Sequence, residues 1–350
     1  MWYNMFRGIE NCHGIILYVF LIGDVMGNFK KTILTASFIT ALTGAAACAA
    51  SYFTVKLMVD GALERTLPPV LKNAGNVISG KKADSGFMDF INQKSDALKN
   101  RDNEIIEITS KDGIKLVGHY IPAAKKANRL IIAVHGWRSI WHRDFGMVTD
   151  FWHNIGCDIL YIEQRGQNNS EGDCMGFGLT ERFDVLDWVN YSIDRFGNSL
   201  PIYLAGVSMG SATVLMASGL NLPENVHGII ADCGFTSPDD IWRHVAKNNL
   251  HIPYGIEQTF AYALFKKKTK YGLDEYSTVD ALRENKTPIL FIHGSNDHFV
   301  PVRMTYENFK ACKAPKELLI VPGADHAMSY YSDTARYEEY TKRFFAKYDK

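Results

Sequence analysis

The chain has 350 residues, 47% apolar and 22% charged, enough to bury one large globular domain and carry an N-terminal appendage. Thirty-eight basic residues balance 38 acidic ones, so no overall field draws the chain to nucleic acid, which argues against a nucleic-acid partner. The six cysteines, Cys12, Cys48, Cys157, Cys174, Cys233 and Cys312, form no CxxC pair and no zinc-like spacing with histidine. They read as small packed hydrophobes and leave the redox compartment open.

Residues 1–29 form an N-terminal extension in which Ile15 to Ile22 is apolar but too short to span a bilayer, and Asp24 ends it. The segment from Met26, MGNFKKTIL, reads as a natural start; N-terminal sequencing that found Met1 would overturn this. From Ile33 to Val55 the chain carries no charge. That length matches a hydrocarbon core of roughly 30 Å. Residues 30–59 are therefore expected to be a transmembrane signal-anchor. Lys30 and Lys31 before it favour a cytoplasmic N-terminus, which makes the protein single-pass in the cell membrane with an extracytoplasmic catalytic domain. The alternatives are a signal peptide cleaved near the AAACAA run and a helix of the globular domain. Residues 60–103, with LPPV and FMDFINQKSDALKN, read as a membrane-proximal connector with one or two amphipathic helices.

From residue 104 the pattern changes. EIIEITS (104–110) alternates, Asp112-Gly113 turns, and Ile114 to Tyr120 extends again, which predicts a β-hairpin. Short, continuous and mostly apolar runs then alternate with helical spacing: LIIAV, DILYI, PIYLAGV, GIIAD, PILFIH and ELLIV. Strands of that kind are buried on both faces, as in a parallel sheet covered by helices. Residues 179–196, 211–220 and 331–348 have helical spacing. The expected domain, 104–350, is α/β, with a mostly parallel sheet of about eight strands flanked by helices.

The strand PIYLAGV runs into Gly206-Val207-Ser208-Met209-Gly210 and a small-residue helix. In a strand–turn–helix setting, G-x-S-x-G is a nucleophile elbow, whose turn leaves no room for side chains at the flanking positions. A serine hydroxyl needs a base, and the base needs an orienting acid. Both fall at strand ends in the required order: Asp297 after PILFIHG, and His326 after ELLIVPG. Asp325 competes as the acid, but its position next to His326 turns its side chain away. The oxyanion needs two donors, read as the backbone N–H of Met209 and that of Trp137 in the His135-Gly136-Trp137-Arg138 loop after LIIAV. His135 is read as shaping that loop.

On these residues the chain resembles the α/β-hydrolase superfamily over residues 104–350. It is most similar to the membrane-anchored bacterial serine aminopeptidase-like (S33) and BEM46-like group. The matching stretches include HGW (135–137), Arg165-Gly166, Ser170-Glu171-Gly172, Gly176-Phe177-Gly178, GVSMG (206–210), DCGFTS (232–237), GSNDHFVP (294–301) and GADH (323–326). Gln167-Asn168-Asn169 departs from the histidine-glycine pair usual in relatives, Glu163 stands where aspartate is commoner, and Arg165 reads as a loop anchor. The resemblance is specific for fold and triad and not for substrate.

Residues 238–280 are expected to form a small helical cap. Trp242, Phe260, Tyr262 and Phe265 there either line a pocket or pack the cap, and Lys266 to Lys270 (KKKTK) are either a solvated face or a membrane contact. The expected function is hydrolysis of carboxylic esters through an acyl-enzyme. A peptidase or aminopeptidase that removes N-terminal residues from short peptides and a non-catalytic, membrane-tethered binding protein are the alternatives. No metal, nucleotide or flavin motif stands out, and the chemistry needs no cofactor.

Overall fold

The computed structural model describes residue 46 and residues 48–69, 85–198, 200–251 and 256–349. Two compact units divide between Leu57 and Met58. In the first, residues 48–57 are helical.

The expected membrane anchor is not upheld. No described helix is long and apolar enough to cross a membrane, which overturns both the transmembrane signal-anchor and the single-pass, extracytoplasmic placement built on it. The physical reason lies in the charges. Lys56 falls within the helical residues of the first unit, and the second unit opens with helical residues 58–63 that carry Asp60. There Asp60 is ion-paired to Lys268 at 3.1 Å, and Leu63 is fully buried. Residues 30–45 and 47 of the expected span, the expected start at Met26 and residues 70–84 of the expected connector lie outside the described residues.

The second unit carries an eight-stranded sheet: β1 (Glu104–Thr109), β2 (Lys115–Ile121), β3 (Arg129–Val134), β4 (Cys157–Ile162), β5 (Ile202–Val207), β6 (Val226–Asp232), β7 (Ile289–Gly294) and β8 (Lys316–Val321). Their spatial order is β1-β2-β4-β3-β5-β6-β7-β8. β1 pairs antiparallel with β2 through the predicted turn at Gly113 (φ +88°), β2 pairs antiparallel with β4, and every other pair is parallel.

Alternation along β3 shows how the core is split. Ile131 and Ala133 face a layer containing Trp141, Phe145, Trp152, Phe344 and Phe345. Leu130, Ile132 and Val134 face the opposite layer, with Trp188, Val189, Val214 and Leu215. All six residues of β3 are buried, as a strand between two helical layers must be. Each fully buried aliphatic side chain contributes about 1.5–3 kcal/mol.

Helices α1 (Ser85–Lys99), α2 (Trp141–Phe145) and α3 (Thr149–Asn154) precede β4, and α4 (Glu181–Phe196) precedes β5. The end of the expected connector is thus built into the catalytic unit. Ser95 Oγ lies 2.7 Å from His142 Nδ1, and Lys94 pairs with Asp150 at 3.3 Å. After β5 come α5 (Met209–Ala217), α6 (Pro238–His244), a π-turn (Val245–Asn249), α7 (Ile256–Thr269) and α8 (Thr278–Glu284). Helices α9 (Arg303–Ala311), α10 (Ser329–Ser332) and α11 (Thr334–Tyr348) complete the fold.

Candidate active site

Every candidate site residue lies just past the C-terminal end of a parallel strand. Ser208 follows β5 and adopts φ 56°, ψ −117°, a conformation that L-residues avoid unless their surroundings enforce it. The surroundings do so here. The Ser208 N–H donates to the Asp232 carbonyl at 2.9 Å. A Cβ on Gly210 would sit 1.9 Å from the Val134 carbonyl, and one on Gly206 2.3 Å from the Gly210 carbonyl. Both glycines are therefore dictated by the close passage of β3, β5 and the start of α5.

Asp297 and His326 converge on Ser208. His326 Nε2 is 2.9 Å from Ser208 Oγ, and His326 Nδ1 is 2.7 Å from Asp297 Oδ2. The other carboxylate oxygen, Oδ1, accepts the N–H groups of Phe299 (2.9 Å) and Val300 (2.8 Å). Burial alone would raise the Asp297 pKa, but the two imidazoles beside it hold the carboxyl well below its usual range. Burial likewise works against charge on His326, yet Asp297, and secondarily the Cys233 thiol, hold it well above its ordinary value. Asp325 is turned away, as expected. Its Oδ1 accepts the N–H of His326 (2.8 Å) and of His298 (3.2 Å).

The loop after β3 lies directly against the serine: a Cβ on Gly136 would be 3.4 Å from Ser208 Cβ. The Gly136 N–H is taken by Asp144 Oδ2 at 2.6 Å. Among the described residues, the N–H groups of Trp137 and Met209 donate to no protein acceptor. His135 is fully buried, its Nδ1 2.8 Å from the Gly136 carbonyl and its Nε2 accepting the Gln164 N–H at 3.2 Å. It shapes the loop and has no place at the reacting centre. Arg165 anchors the next loop as expected, forking onto Asp184 (Nε–Oδ2 2.6 Å) and Asp112 (2.8 Å). Glu163 accepts from Asn169 N–H at 2.6 Å and lies 2.9 Å from His119 Nε2.

Two residues of the site have no role in the sequence reading. His293, at the end of β7, is fully buried, with Nε2 3.1 Å from Asp297 Oδ2 and 2.9 Å from the Val300 carbonyl, and Nδ1 2.6 Å from Thr305 Oγ1. A histidine closing an otherwise apolar strand, four residues before the acid, was the available signal. Cys233, with φ 47° and no exposure, brings its Sγ within 4.8 Å of donor atoms of Asp297 and His326. Those three could offer a ligand set to a metal, but the carboxylate and imidazole are already bonded to each other.

An aromatic wall borders the loop. Phe177 lies 6.4 Å from Trp137, 6.2 Å from Phe235 and 5.5 Å from Trp242, ring to ring, and Trp242 continues to Phe265 at 5.4 Å. Phe299 stands edge-on to His326 at 5.0 Å. Phe265 is fully buried and packs, while Trp242 is half-buried. Lys268 of the KKKTK run is committed to Asp60 and Glu64 and is no free basic face.

A model of the prolyl oligopeptidase family matches residues 177–350. The YqkD protein of Bacillus subtilis is 25% identical over 68% of this chain and 77% of its own length. The esterase Pf2001 of Pyrococcus furiosus shares the fold with a TM-score of 0.59 and 20% identity, over 71% of this chain and 92% of that one. The chain is an α/β hydrolase. Est1E of Butyrivibrio proteoclasticus, solved with ferulic acid bound, also shares the hydrolase fold, with a TM-score of 0.55 and 19% identity over 69% of this chain and 98% of that one. The α/β hydrolase is a serine hydrolase, and these matches support the superfamily without distinguishing the narrower S33 and BEM46-like grouping within it.

Proposed function

We propose that this serine hydrolase cleaves carboxylic esters through an acyl-enzyme on Ser208. The observation that carries the reading is the continuous relay from Ser208 Oγ to His326 Nε2 (2.9 Å) and from Nδ1 to Asp297 (2.7 Å). His326 takes the Ser208 proton as Oγ bonds to the carbonyl carbon, and the oxyanion turns to the N–H groups of Trp137 and Met209. The tetrahedral intermediate collapses as the alkoxide leaves with the proton from Nε2. Water, deprotonated by the same nitrogen, then hydrolyses the acyl-enzyme and restores Ser208.

The aromatic wall of Phe177, Phe235 and Trp242 suits an acyl or aryl group, and the esterase neighbours are in keeping with it. An aminopeptidase would need a carboxylate for the substrate's amino group, and two acids of the expected cap are engaged: Asp239 with Arg243 (2.9 Å) and Asp240 with Thr236 (2.7 Å). The prolyl oligopeptidase match favours that second reading.

Chromogenic esters of increasing acyl length, assayed beside aminoacyl amides with Ser208→Ala as the blank, test the proposal. Ester turnover that drops by about 10⁴-fold or more in the variant is the expected result. Amide turnover above ester turnover would transfer the protein to the peptidase reading, and turnover surviving in the variant would refute both.

A further inference from the structure

Residues 58–65, which precede the α/β core, are bonded to the loop that faces Ser208. Helical residues 58–63 end in carbonyls that have no further turn to accept from. Side chains of the loop after β3 supply the missing donors. Trp137 Nε1 donates to the Ala62 carbonyl at 2.8 Å. The Arg138 guanidinium donates to Gly61 O (3.0 and 2.7 Å) and Glu64 O (2.5 Å). A cation at the negative end of a helix is electrostatically favoured as well. Arg138 itself holds a left-handed φ of 49°, which a non-glycine residue keeps only where its contacts enforce it.

The segment is fastened on its other side too. Leu63 is fully buried, and its carbonyl accepts Met175 N–H at 2.8 Å. Arg65 donates to the carbonyls of Asn168 and Ser170, and Asn168 Nδ2 returns to the Ser139 carbonyl of the same oxyanion loop at 2.9 Å. The asparagine that departs from the usual histidine-glycine pair thus links the segment to that loop.

We infer that residues 60–65 are a strap that positions the oxyanion loop, with Trp137 and Arg138 as positioning residues acting through their side chains while the Trp137 N–H meets the oxyanion. The inference rests on the reading of Ser208 and the Trp137 N–H given above. Its consequence is specific. The strap contributes to transition-state stabilisation and not to substrate affinity, so an α/β core cut away from it would keep the triad and lose its rate.

The test uses the full chain with two loop-side variants, Trp137→Phe and Arg138→Met, and two strap-side variants, Leu63→Ala and Arg65→Met. The readouts are kcat, KM, melting temperature and the inhibition constant of a trifluoromethyl ketone, whose adduct with a serine carries an oxyanion. The expected result is a kcat reduced at least about tenfold on both sides, less than the roughly 10²–10³-fold that outright removal of an oxyanion donor costs. Ketone affinity should weaken by a similar factor, KM should stay within about threefold, and Arg138→Lys should restore part of the loss. Strap-side variants that melt normally and keep wild-type kcat and ketone affinity would overturn the inference. So would losses confined to KM, or to the fraction of folded protein. Ser208→Ala separates the failures: turnover surviving there sinks the reading of the site itself, while turnover lost there but kept in the strap variants sinks the strap alone.

Discussion

Replacing Asp297 with asparagine keeps the side chain's shape and removes its charge, and the four contacts of the carboxylate determine the outcome. Oδ1 accepts two backbone N–H groups, while Oδ2 faces His326 Nδ1 and His293 Nε2. An amide must place its NH₂ at one of those positions. At Oδ1 it would point donors at two donors, each a lost buried hydrogen bond costing about 1–3 kcal/mol. It therefore takes the Oδ2 position and donates to His326 Nδ1, which forces the imidazole proton onto Nε2, the nitrogen that must accept from Ser208. The same tautomer trap in another serine hydrolase costs about 10⁴-fold in kcat, equal to about 5.5 kcal/mol of barrier.

The pH profile gives a second handle on the same variant. Turnover needs neutral His326, so activity fades as pH falls through the His326 pKa, which Asp297 holds well above its ordinary 6.5. Without the carboxylate that limb should move to lower pH. Ester hydrolysis followed from pH 5 to 9 in both proteins measures both effects. An Asp297→Asn enzyme within tenfold of wild type, or one whose acid limb stays in place, would refute the argument.

Other outcomes follow from single contacts. Arg165→Met would leave the Asp184 carboxylate, only 3% exposed, without its guanidinium, and should cost about 3–5 kcal/mol in urea unfolding. Gly210→Ala would drive a methyl into the Val134 carbonyl at 1.9 Å, so its soluble yield should collapse although alanine is the better helix former. The Cys233 thiol, buried and pushed up to about 11, should resist iodoacetamide in the folded protein at pH 8 and react once the chain is unfolded, as peptide mapping would show.

The catalytic core was legible because its signals are local. Apolar runs such as Ile289–Ile292 announce the strands of the sheet, and Ser208, Asp297 and His326 each follow one, although β8, which precedes His326, is only partly buried. The glycines of the elbow were legible for the same reason, since the turn's geometry dictates them. His293 was harder to read, because a histidine inside a strand looks the same in sequence whether it packs or meets a carboxylate. The strap left no local trace at all. Arg65 meets Ser170 across 105 positions, and its partners are backbone carbonyls, which every residue possesses. The anchor expectation failed at the opposite extreme: a run of small apolar residues fits a bilayer by count, while the charges Lys56 and Asp60 fall within the helical residues that follow it, and Asp60 is paired with Lys268.

β8 lies at the rim of the sheet, hydrogen-bonded only to β7 within it, and four of its six residues are incompletely buried. His326 hangs from the loop that this strand supports. Rim elements can open at a lower free energy than the whole fold, so hydrolysis should fail before the molecule melts. In a urea titration, turnover should fade ahead of the fluorescence of Trp152 and Trp188, which are buried in the two central layers. Enzymatic rate would then report on the fraying of one strand, a gauge of local order that spectroscopy of the core cannot supply.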